Sequence, residues 1–235
     1  MNAPLNHLRI LQTRSVADLV REEIIGLIKR GDLVAGDKLS EQSFAQHFNV
    51  SRAPIREAFR ALEEAGLVRL EKNRGVFVRE IREPEAHELY ELRATLDEMA
   101  GRQLAPRVTG EILSELDSWL ARLADAARAG DMAAYFPLNI GFHDRLVELT
   151  GNATLIEFYR KLIDRMHLLR RRNFDEGQGS AGSQEEHRAI VAALATRHPD
   201  RVAAAMRAHV ENGYRRLTGQ ALVPGPASAA PAASG

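Results

Sequence analysis

The sequence predicts a mainly α-helical protein with two domains. Apolar residues recur at the three- and four-residue spacing of amphipathic helices through most of the 235 residues, and glycine or proline separates these repeats. Strand signals are almost confined to two short β-favouring segments that flank the turn-forming sequence Lys72-Asn73-Arg74-Gly75. Three helices and a hairpin are therefore expected first, and helices alone after them.

The first predicted domain covers residues 14–82 and follows a polar arm of residues 1–13. Ser40 and Ser51 precede helical patterns as N-caps, and Pro54 stands in the first turn of the third helix, where a missing amide proton costs little. The predicted helices and strands cover residues 15–30, 40–47, 51–66, 68–71 and 76–81. This order is typical of a winged helix-turn-helix, in which one helix enters the DNA major groove and the hairpin, or wing, contacts the flanking backbone.

The second predicted domain, residues 83–218, is an all-α helical bundle of about six helices. Each helix has room for three or more turns, and breakers such as Pro106, Gly130 and Gly151 separate them. The predicted helices cover residues 84–105, 109–129, 131–149, 152–172, 183–197 and 199–218. Residues 219–235 are rich in Ala, Pro, Ser and Gly and are expected to form a disordered tail, because they cannot bury enough apolar surface.

Composition limits the classes of function. The chain has 32 basic and 32 acidic side chains, of which residues 1–82 hold 14 and 11, so a net charge of +3 there leaves −3 for the remainder. This asymmetry has the sign expected for DNA binding. The absence of cysteine excludes disulfides, thiolate metal sites and thiol nucleophiles. No apolar run reaches the ~18 to 20 residues that span a membrane, so a cytoplasmic protein is expected.

The third helix carries the candidate DNA-contacting side chains. Arg52, Arg56 and Arg60 recur every four residues on one face, and an apolar face lies opposite. Arginine at such positions can donate two hydrogen bonds to guanine or neutralise phosphates. Arg74 at the wing tip is a candidate for a minor-groove or phosphate contact. The alternative is that these arginines only coat a solvated helix face.

Several segments of the first domain closely resemble the GntR family of bacterial regulators. They are Leu39-Ser-Glu-Gln-Ser-Phe-Ala, Val50-Ser-Arg-Ala-Pro-Ile-Arg-Glu-Ala-Phe-Arg-Ala-Leu, Glu64-Ala-Gly-Leu-Val and Arg74-Gly75-Val-Phe-Val78. The resemblance implies DNA contacts from Gln42, Ser51, Arg52, Arg56, Arg74 and Gly75. Gln42 departs from the basic residue often found at its position in the family.

Three histidines on apolar helix faces form a second candidate site. His143, His187 and His209 are each flanked at helical spacing by apolar residues. Imidazoles that converge in a cysteine-free helical core suit zinc or another borderline divalent metal, and Asn139, one turn before His143, can add an oxygen. The alternative for each histidine is a hydrogen-bonded core residue. The other histidines show no such pattern and are predicted at the surface or its boundary: His7, His47, His87, His167 and His198.

The sequences around the three histidines resemble the metal-ligand motifs of the FCD domain in FadR-type GntR regulators. The motifs are Asn139-Ile-Gly-Phe-His143, Glu186-His187-Arg-Ala-Ile and Met206-Arg-Ala-His209-Val. The resemblance implies a divalent metal, zinc in the first place with nickel or manganese as alternatives, held by Asn139, His143, His187 and His209. The family commonly has aspartate at the position of Asn139.

Arg93 and Arg165 mark a candidate effector site. Each shares a helix face with apolar residues, so both are expected to point into the bundle, where a buried guanidinium needs an anion. One candidate anion is a small carboxylate effector, which the FCD resemblance implies would bridge the metal and an arginine. The other candidate is an internal ion pair with Asp97 or Glu157.

These observations predict a DNA-binding transcriptional regulator, a repressor, and not an enzyme. A two-fold homodimer would present two recognition helices to a pseudo-palindromic operator on double-stranded DNA. A bound carboxylate would alter the spacing or mobility of the two DNA-binding heads. A metal-dependent hydrolase is the alternative, although Glu186, beside His187, is poorly placed as a general base. A second alternative is a module that binds a protein partner through its basic helix, which salt dependence would separate from DNA binding.

Overall fold

The computed structural model describes residues 15–170 and 179–222. Most of these residues are helical, which confirms the predicted fold class. The predicted arm, residues 1–13, and most of the predicted tail, residues 219–235, lie outside the described residues. No helix in the described part of the chain combines the length and apolar composition that crossing a membrane requires.

The first of two compact units contains residues 15–82 together with residues 160–170. Its helices and strands follow the predicted order, with one strand added. In chain order they are α1 (Val16–Arg30), β1 (Lys38–Leu39), α2 (Glu41–His47), α3 (Arg52–Glu64), β2 (Val68–Glu71) and β3 (Gly75–Val78).

Both ends of α1 are fixed by local interactions that the sequence encodes. Ser15 Oγ accepts a hydrogen bond from the Asp18 N–H at 3.0 Å, and the Asp18 carboxylate accepts one from the Ser15 N–H at 3.3 Å. Such a capping box satisfies two N–H groups at the helix start, and a Ser cap contributes about 1 kcal/mol. Gly31 ends the helix at a φ of 80°, which glycine adopts without strain.

The core of the first unit fixes which face of α3 is exposed. Ile55, Phe59 and Leu62 of α3 are fully buried and pack with Ile24 of α1 and Val78 of β3 in one apolar cluster. Because apolar side chains three and four positions apart lie on one face of a helix, burying them turns the opposite face to solvent. The cluster therefore positions the basic face of α3.

A small antiparallel sheet forms the wing, with the strand order β1-β3-β2. Strand β1 is not predicted, because two residues are too few to show an alternating pattern; it pairs Lys38 with Phe77 and Leu39 with Val76. The predicted second strand, 76–81, starts one residue too late and ends three residues too far, because β3 spans Gly75–Val78.

The second unit contains residues 83–159 and 179–222 and is entirely helical in its described part. A single 3-10 turn, Ala105–Arg107, follows its first helix. The helices are α4 (Glu83–Leu104), α5 (Gly110–Arg128), α6 (Met132–Glu148), α7 (Ala153–Arg170, shared with the first unit), α8 (Gly179–Ala195) and α9 (Pro199–Thr218). Helix α8 begins four residues before its predicted start at 183, because helix continues through glycines that the sequence indicates as a break.

Helix α4 packs against α9 along much of its length, and α5 packs against α6 and α8. Gly101 lets α4 approach α9 closely, because a Cβ there would lie 3.0 Å from the Ala203 nitrogen and 3.1 Å from Met206 Sδ. This packing places α6, α8 and α9, which carry the three predicted metal-binding histidines, in one bundle.

Helix α7 is divided between the two units after Tyr159. Its later part lies with the N-terminal helices: Lys29 Nζ of α1 forms an ion pair with Asp164 Oδ1 at 2.7 Å, and Leu168 packs against the apolar cluster of the first unit. The helical pattern alone groups this segment with residues 83–218, since periodicity shows which face is apolar but not what covers it.

Candidate nucleic-acid interface and metal centre

The exposed face of α3 holds the three predicted arginines. Arg52, Arg56 and Arg60 are exposed, whereas Ile55 on the opposite face is 0 % exposed. Helices α2 and α3 meet at a tight corner in which Asn49 adopts a left-handed conformation, φ 53°, which asparagine tolerates better than most residues. This is the helix-turn-helix arrangement in which the second helix can enter a major groove.

Ser51 and Gln42 both lie on the surface near the start of their helices. Ser51 stands at the N-cap of α3 with φ −69° and ψ 165°, but its side chain makes no capping hydrogen bond. Its exposed hydroxyl and the first N–H groups of α3 are therefore available to a phosphate. Gln42 is exposed on α2. Contacts of these two residues with DNA stay a prediction.

Arg56 differs from the other arginines of α3 because a carboxylate holds it. Its Nε donates a hydrogen bond to Glu41 Oε2 at 2.7 Å, which joins α2 to α3. The two side chains remain 58 % and 36 % exposed, so this ion pair contributes only about 0 to 1 kcal/mol to stability. The sequence gives no sign of the pairing, because its partners are 15 residues apart on different helices.

The wing turn exposes Arg74 between two residues with left-handed backbone. Asn73 has a φ of 63° and Gly75 a φ of 115°. A side chain at Gly75 would be strained and would also meet Lys38, whose Cε lies 3.1 Å from the position of a Cβ. Glycine at this position therefore allows the turn conformation without strain and leaves room for the Lys38 side chain.

Three cations surround one aromatic ring on the wing. The charged groups of Lys38, Arg69 and Arg74 lie 5.9, 5.4 and 5.8 Å from the centre of the Phe77 ring, within the range of cation–π attraction. Glu71 pairs with both Arg69 and Arg74 at 2.5 Å. Of these three cations only Arg74 is predicted from the sequence. Lys38 is missed because the β1–β3 pairing that brings it to Phe77 is not predicted, whereas Arg69 lies opposite Phe77 in the predicted hairpin.

Three buried histidines from three helices of the second unit come together. His143 of α6, His187 of α8 and His209 of α9 are 3, 0 and 6 % exposed. Nε2 of His143 lies 3.2 Å from Nε2 of His187, and one ring nitrogen of each histidine lies within 4.8 Å of the others. Two imidazole nitrogens this close need a proton or a cation between them. Three imidazoles in this arrangement fit a divalent metal with open positions.

Burial favours the neutral form of His187 and His209, which is the form that binds metal. Burial and the neighbouring His209 lower the pKa of His187 well below its usual value. Burial also lowers the pKa of His209, against the opposing effect of a hydrogen bond to Glu186. The positive charge of Arg93 lowers the pKa of both histidines further, so Arg93 is close enough to act on the cluster electrostatically.

Glu186 and Arg216 orient His209 from outside the cluster. Nδ1 of His209 lies 2.8 Å from Glu186 Oε2 and must be the donor, because an ionised carboxylate only accepts. Arg216 donates to both carboxylate oxygens, at 2.6 and 2.8 Å. Burial would raise the pKa of Glu186, but these hydrogen bonds lower it to about 2. Nε2 of His209 is therefore left as the nitrogen with a free lone pair, the tautomer that metal-ligating histidines adopt beside a carboxylate.

Sequence reasoning does not assign Glu186 or Arg216 to this role. Glu186 precedes His187 but interacts with His209 on another helix, and no periodicity reports that pairing. Arg216 follows His209 by seven residues, or two helical turns, on the same face of α9. That spacing is the signal that could have identified it.

Other polar groups in the second unit supplement the histidines. Asn139 lies one turn before His143 on α6, and its Oδ1 is buried without a hydrogen-bond partner in the described part of the chain. A buried amide oxygen in this state is available to a cation. Ser183 Oγ lies 3.3 Å from His187 Nε2. Burial raises the pKa of Tyr135, whose hydroxyl interacts with Ser183. Neither Ser183 nor Tyr135 is predicted from the sequence as a site residue.

Arg93 is buried on α4 and only partly paired. Its Nε lies 3.3 Å from Asp97 Oδ2, so the internal ion pair expected as one alternative is present. Nη2 of Arg93 is also buried, and it has no hydrogen-bond partner among the described residues. A buried N–H group left unpaired costs about 1 to 3 kcal/mol. Part of this guanidinium therefore remains available to an anion.

Arg165 is placed with the N-terminal helices and not with the three histidines. It belongs to the first unit, where a Cβ at Gly66 would lie 3.3 Å from Arg165 Nε. Its contact with an effector stays a prediction. His167 in the same segment is 6 % exposed, so its predicted surface or boundary position is wrong. Both differences arise because the later part of α7 is covered by the first unit.

Known families match both parts of the chain. Residues 16–78 match the family described as bacterial regulatory proteins, gntR family, and residues 88–212 match the FCD domain. The Nta operon transcriptional regulator of Aminobacter aminovorans is 31 % identical to this chain, over 77 % of this chain and 85 % of its own length. The HTH-type transcriptional repressor RspR of Escherichia coli K12 is 28 % identical, over 82 % and 86 % respectively.

A solved structure, E. coli McbR/YncC, has the same fold. Its TM-score to this chain is 0.79, and the match covers 87 % of this chain and 98 % of the solved chain. At 20 % identity this likeness concerns the fold alone. The two domain matches and the 31 % identical relative show more: the chain belongs to the GntR family of bacterial regulatory proteins and is a DNA-binding transcriptional regulator with an FCD domain.

Proposed function

We propose that this regulator is a repressor whose operator affinity is controlled by a small carboxylate bound at a metal centre in the second unit. The observation that carries the proposal is the cluster of three buried imidazoles, in which one ring nitrogen of each lies within 4.8 Å of the others. Repression as the mode of control is supported by the relative RspR, which is named a transcriptional repressor.

In this proposal His143, His187 and His209 hold a divalent metal, zinc in the first place, with Asn139 as an additional oxygen ligand. Nickel and manganese are the alternatives. An amide oxygen binds a cation less strongly than a carboxylate, so we expect a lower affinity than an aspartate at this position would give. The metal would supply a Lewis acid to which a carboxylate can bind.

Arg93 provides the second anchor for the carboxylate. Its buried Nη2 lacks a partner among the described residues, and its charge already acts on His187 and His209. A guanidinium can donate two parallel hydrogen bonds to a carboxylate, which a lysine cannot reproduce. An acid bound between metal and Arg93 would satisfy both groups.

We further propose that a homodimer binds a pseudo-palindromic operator in the cytoplasm. Two copies of α3 would enter major grooves about one helical turn apart, with Ser51, Arg52 and Arg56 near the bases and Arg74 at the flanking backbone. Gln42 and Gly75 complete the contact surface. The carboxylate weakens DNA binding if it binds the DNA-free arrangement of the two heads more tightly than the DNA-bound one.

Metal content and operator affinity test the proposal together. The operator is first selected from random-sequence DNA with the full-length protein, and metal is quantified by mass spectrometry. We expect about one zinc per chain in the wild type and a large loss in His143→Ala. His198→Ala is the matched control, because His198 is exposed and makes no capping hydrogen bond.

Operator affinity is then measured with sugar acids, hydroxy acids, aromatic acids and dicarboxylates. At least one class should shift the Kd in the wild type and in His198→Ala but not in His143→Ala. A metal-free wild type, or an operator Kd that no acid changes, would reject the proposal and leave a constitutive DNA-binding protein.

The hydrolase alternative finds no support. The matching families and relatives are transcription regulators. Glu186, the carboxylate beside His187, is held by His209 and by both Nη groups of Arg216, and the pKa of about 2 shows how strongly its charged form is stabilised. It is therefore a poor base for activating water.

A further inference from the structure

One ion pair in the first unit involves a residue that the proposed function assigns to DNA contact. Arg56 Nε donates to Glu41 Oε2 at 2.7 Å, and the Arg56 side chain is still 58 % exposed. Arg52 and Arg60, on the same exposed face of α3, have no carboxylate partner in the part of the chain that the structure describes. The ion pair with Glu41 therefore distinguishes Arg56 from the other two arginines of this face.

We propose that Glu41 is a positioning residue for DNA specificity: it holds Arg56 so that both Nη groups of that arginine face one guanine of the operator. The inference rests on the proposed contact between Arg56 and DNA, and it adds a residue from outside the recognition helix to the specificity of that contact.

The chemistry of the guanidinium supports a separate use of its donors, with Nε bound by Glu41 and the two Nη groups left for guanine. A guanidinium has five N–H donors, and Glu41 uses the one at Nε. The two Nη groups remain, and the described residues offer them no other hydrogen-bond partner. A pair of parallel N–H donors matches O6 and N7 of guanine, which is the most common specific contact in the major groove.

Holding the side chain before DNA arrives also lowers the ordering cost of binding. A free arginine has many rotamers, and a pre-ordered one loses less freedom when it docks. The ion pair is too exposed to matter much for folding, because solvent-exposed pairs contribute little to stability. A role in positioning, and not in stability, fits this exposure.

The competing explanation is that Glu41 only joins α2 to α3. That role would change the stability of the helix-turn-helix and would weaken binding to all DNA sequences equally. A positioning role instead changes the preference for one base and leaves binding to unrelated DNA unchanged or slightly tighter, because one negative charge near the phosphates is removed.

The test uses Glu41→Gln in the full-length protein, with Glu57→Gln as the matched control. Glu57 is an exposed carboxylate on α3 next to Arg56, so its substitution removes the same charge from the same surface. Operator selected from random-sequence DNA is synthesised with 7-deazaguanine, which lacks the N7 acceptor, at one guanine at a time. The Kd is measured for each duplex and for unrelated DNA.

We expect the wild type and Glu57→Gln to bind about 5- to 100-fold more weakly when one particular guanine of each half-site is replaced by 7-deazaguanine, and we call this loss of affinity the guanine penalty. For Glu41→Gln this penalty should fall to less than about threefold, with the Kd for unrelated DNA within twofold of the wild type. Glu41→Asp, which keeps the charge but shortens the reach, should also lose the penalty; it replaces Glu41→Gln if that variant does not fold.

Arg56→Ala separates failure of this inference from failure of the proposed contact. If Glu41 acts through Arg56, then Glu41→Gln changes nothing further in an Arg56→Ala background. A Glu41→Gln protein that keeps the full guanine penalty, while Arg56→Ala loses it, overturns the inference alone. If Arg56→Ala keeps the penalty as well, Arg56 does not contact the guanine and both proposals fail.

Discussion

Replacing Glu186 by glutamine tests whether the ion pair outside the histidine cluster controls metal binding. Glutamine keeps the shape of the side chain but loses the negative charge and one of the two oxygens, which together accept hydrogen bonds from His209 Nδ1 at 2.8 Å and from Arg216 at 2.6 and 2.8 Å. Carboxylates that orient metal-ligating histidines typically contribute 10- to 100-fold to metal affinity. We therefore expect Glu186→Gln to weaken zinc binding by this factor, or about 1.4 to 2.8 kcal/mol.

The same substitution should also lower the stability of the metal-free protein. The pKa of Glu186 is lowered from 4.5 to about 2 in the folded state, so its charged form stabilises the fold at pH values above 4.5. At 1.36 kcal/mol for each pKa unit the upper bound is about 3 kcal/mol. Screening by solvent at this partly exposed site reduces our expectation to about 1 to 2 kcal/mol. The difference between wild type and variant should shrink as the pH falls below 4.5.

Competition with a chelating fluorophore measures the zinc Kd of the full-length proteins, and urea unfolding measures their stability. Glu185→Gln is the matched control, because Glu185 is exposed and pairs with the exposed Arg188 and not with the histidine cluster in the described part of the chain. Equal zinc affinity in Glu186→Gln and wild type, within twofold, would refute the orienting role of Glu186. If the wild type itself binds no zinc, the metal proposal fails and not the argument about orientation.

Three further predictions concern packing, pH and DNA binding. Gly101→Ala should lower the free energy of unfolding, measured by urea titration, by about 1 to 3 kcal/mol, because its Cβ would lie 3.0 Å from the backbone of α9. The control Gly110→Ala should be neutral or slightly stabilising, because its Cβ would have no neighbouring atom within 4 Å. The pKa values of His187 and His209 are lowered on folding, so the unfolded state binds more protons than the folded state below pH 6.5. The free energy of unfolding of the metal-free protein should therefore decrease as the pH falls from 7.5 to 5.5. A free energy of unfolding that does not change over this range would contradict the burial argument. Arg74→Ala should weaken binding to all DNA sequences and reduce the salt slope by about 1, and an unchanged slope would remove Arg74 from the phosphate contacts.

Elements with local signals could be predicted from the sequence. The capping box of Ser15, the glycine end at Gly31 and the apolar face of α3 lie within a few residues of one another and determine structure locally. The predicted start of α8 is wrong because the helix continues through glycines, which usually interrupt a helix. Strand β1 is missed because its pairing with β3 connects residues far apart in the sequence.

The site residues also divide into those with a local sequence signal and those whose partners lie on another helix. His143, His187 and His209 could be identified because each lies on an apolar face of its own helix, and burial of those faces brings the imidazoles together. Glu186 and Arg165 could not be placed, because their partners depend on how one helix is rotated against another. Glu186 meets His209 across two helices, and Arg165 lies on a helix whose later part is covered by the first unit.

The second unit contains several buried polar atoms that are hard to explain if its core were purely structural. Asn139 Oδ1, His187 Nδ1 and Arg93 Nη2 are all buried without hydrogen-bond partners among the described residues. Each such atom costs about 1 to 3 kcal/mol, and native cores keep few of them. A cation can satisfy the amide oxygen of Asn139, and an anion can satisfy the guanidinium of Arg93. A metal and a carboxylate bound together would satisfy both requirements, whereas a metal alone would leave Nη2 of Arg93 without a hydrogen-bond partner among the described residues. Asp97 accepts a hydrogen bond from Arg93 Nε at 3.3 Å, so this internal ion pair and an anion bound at Nη2 do not exclude each other.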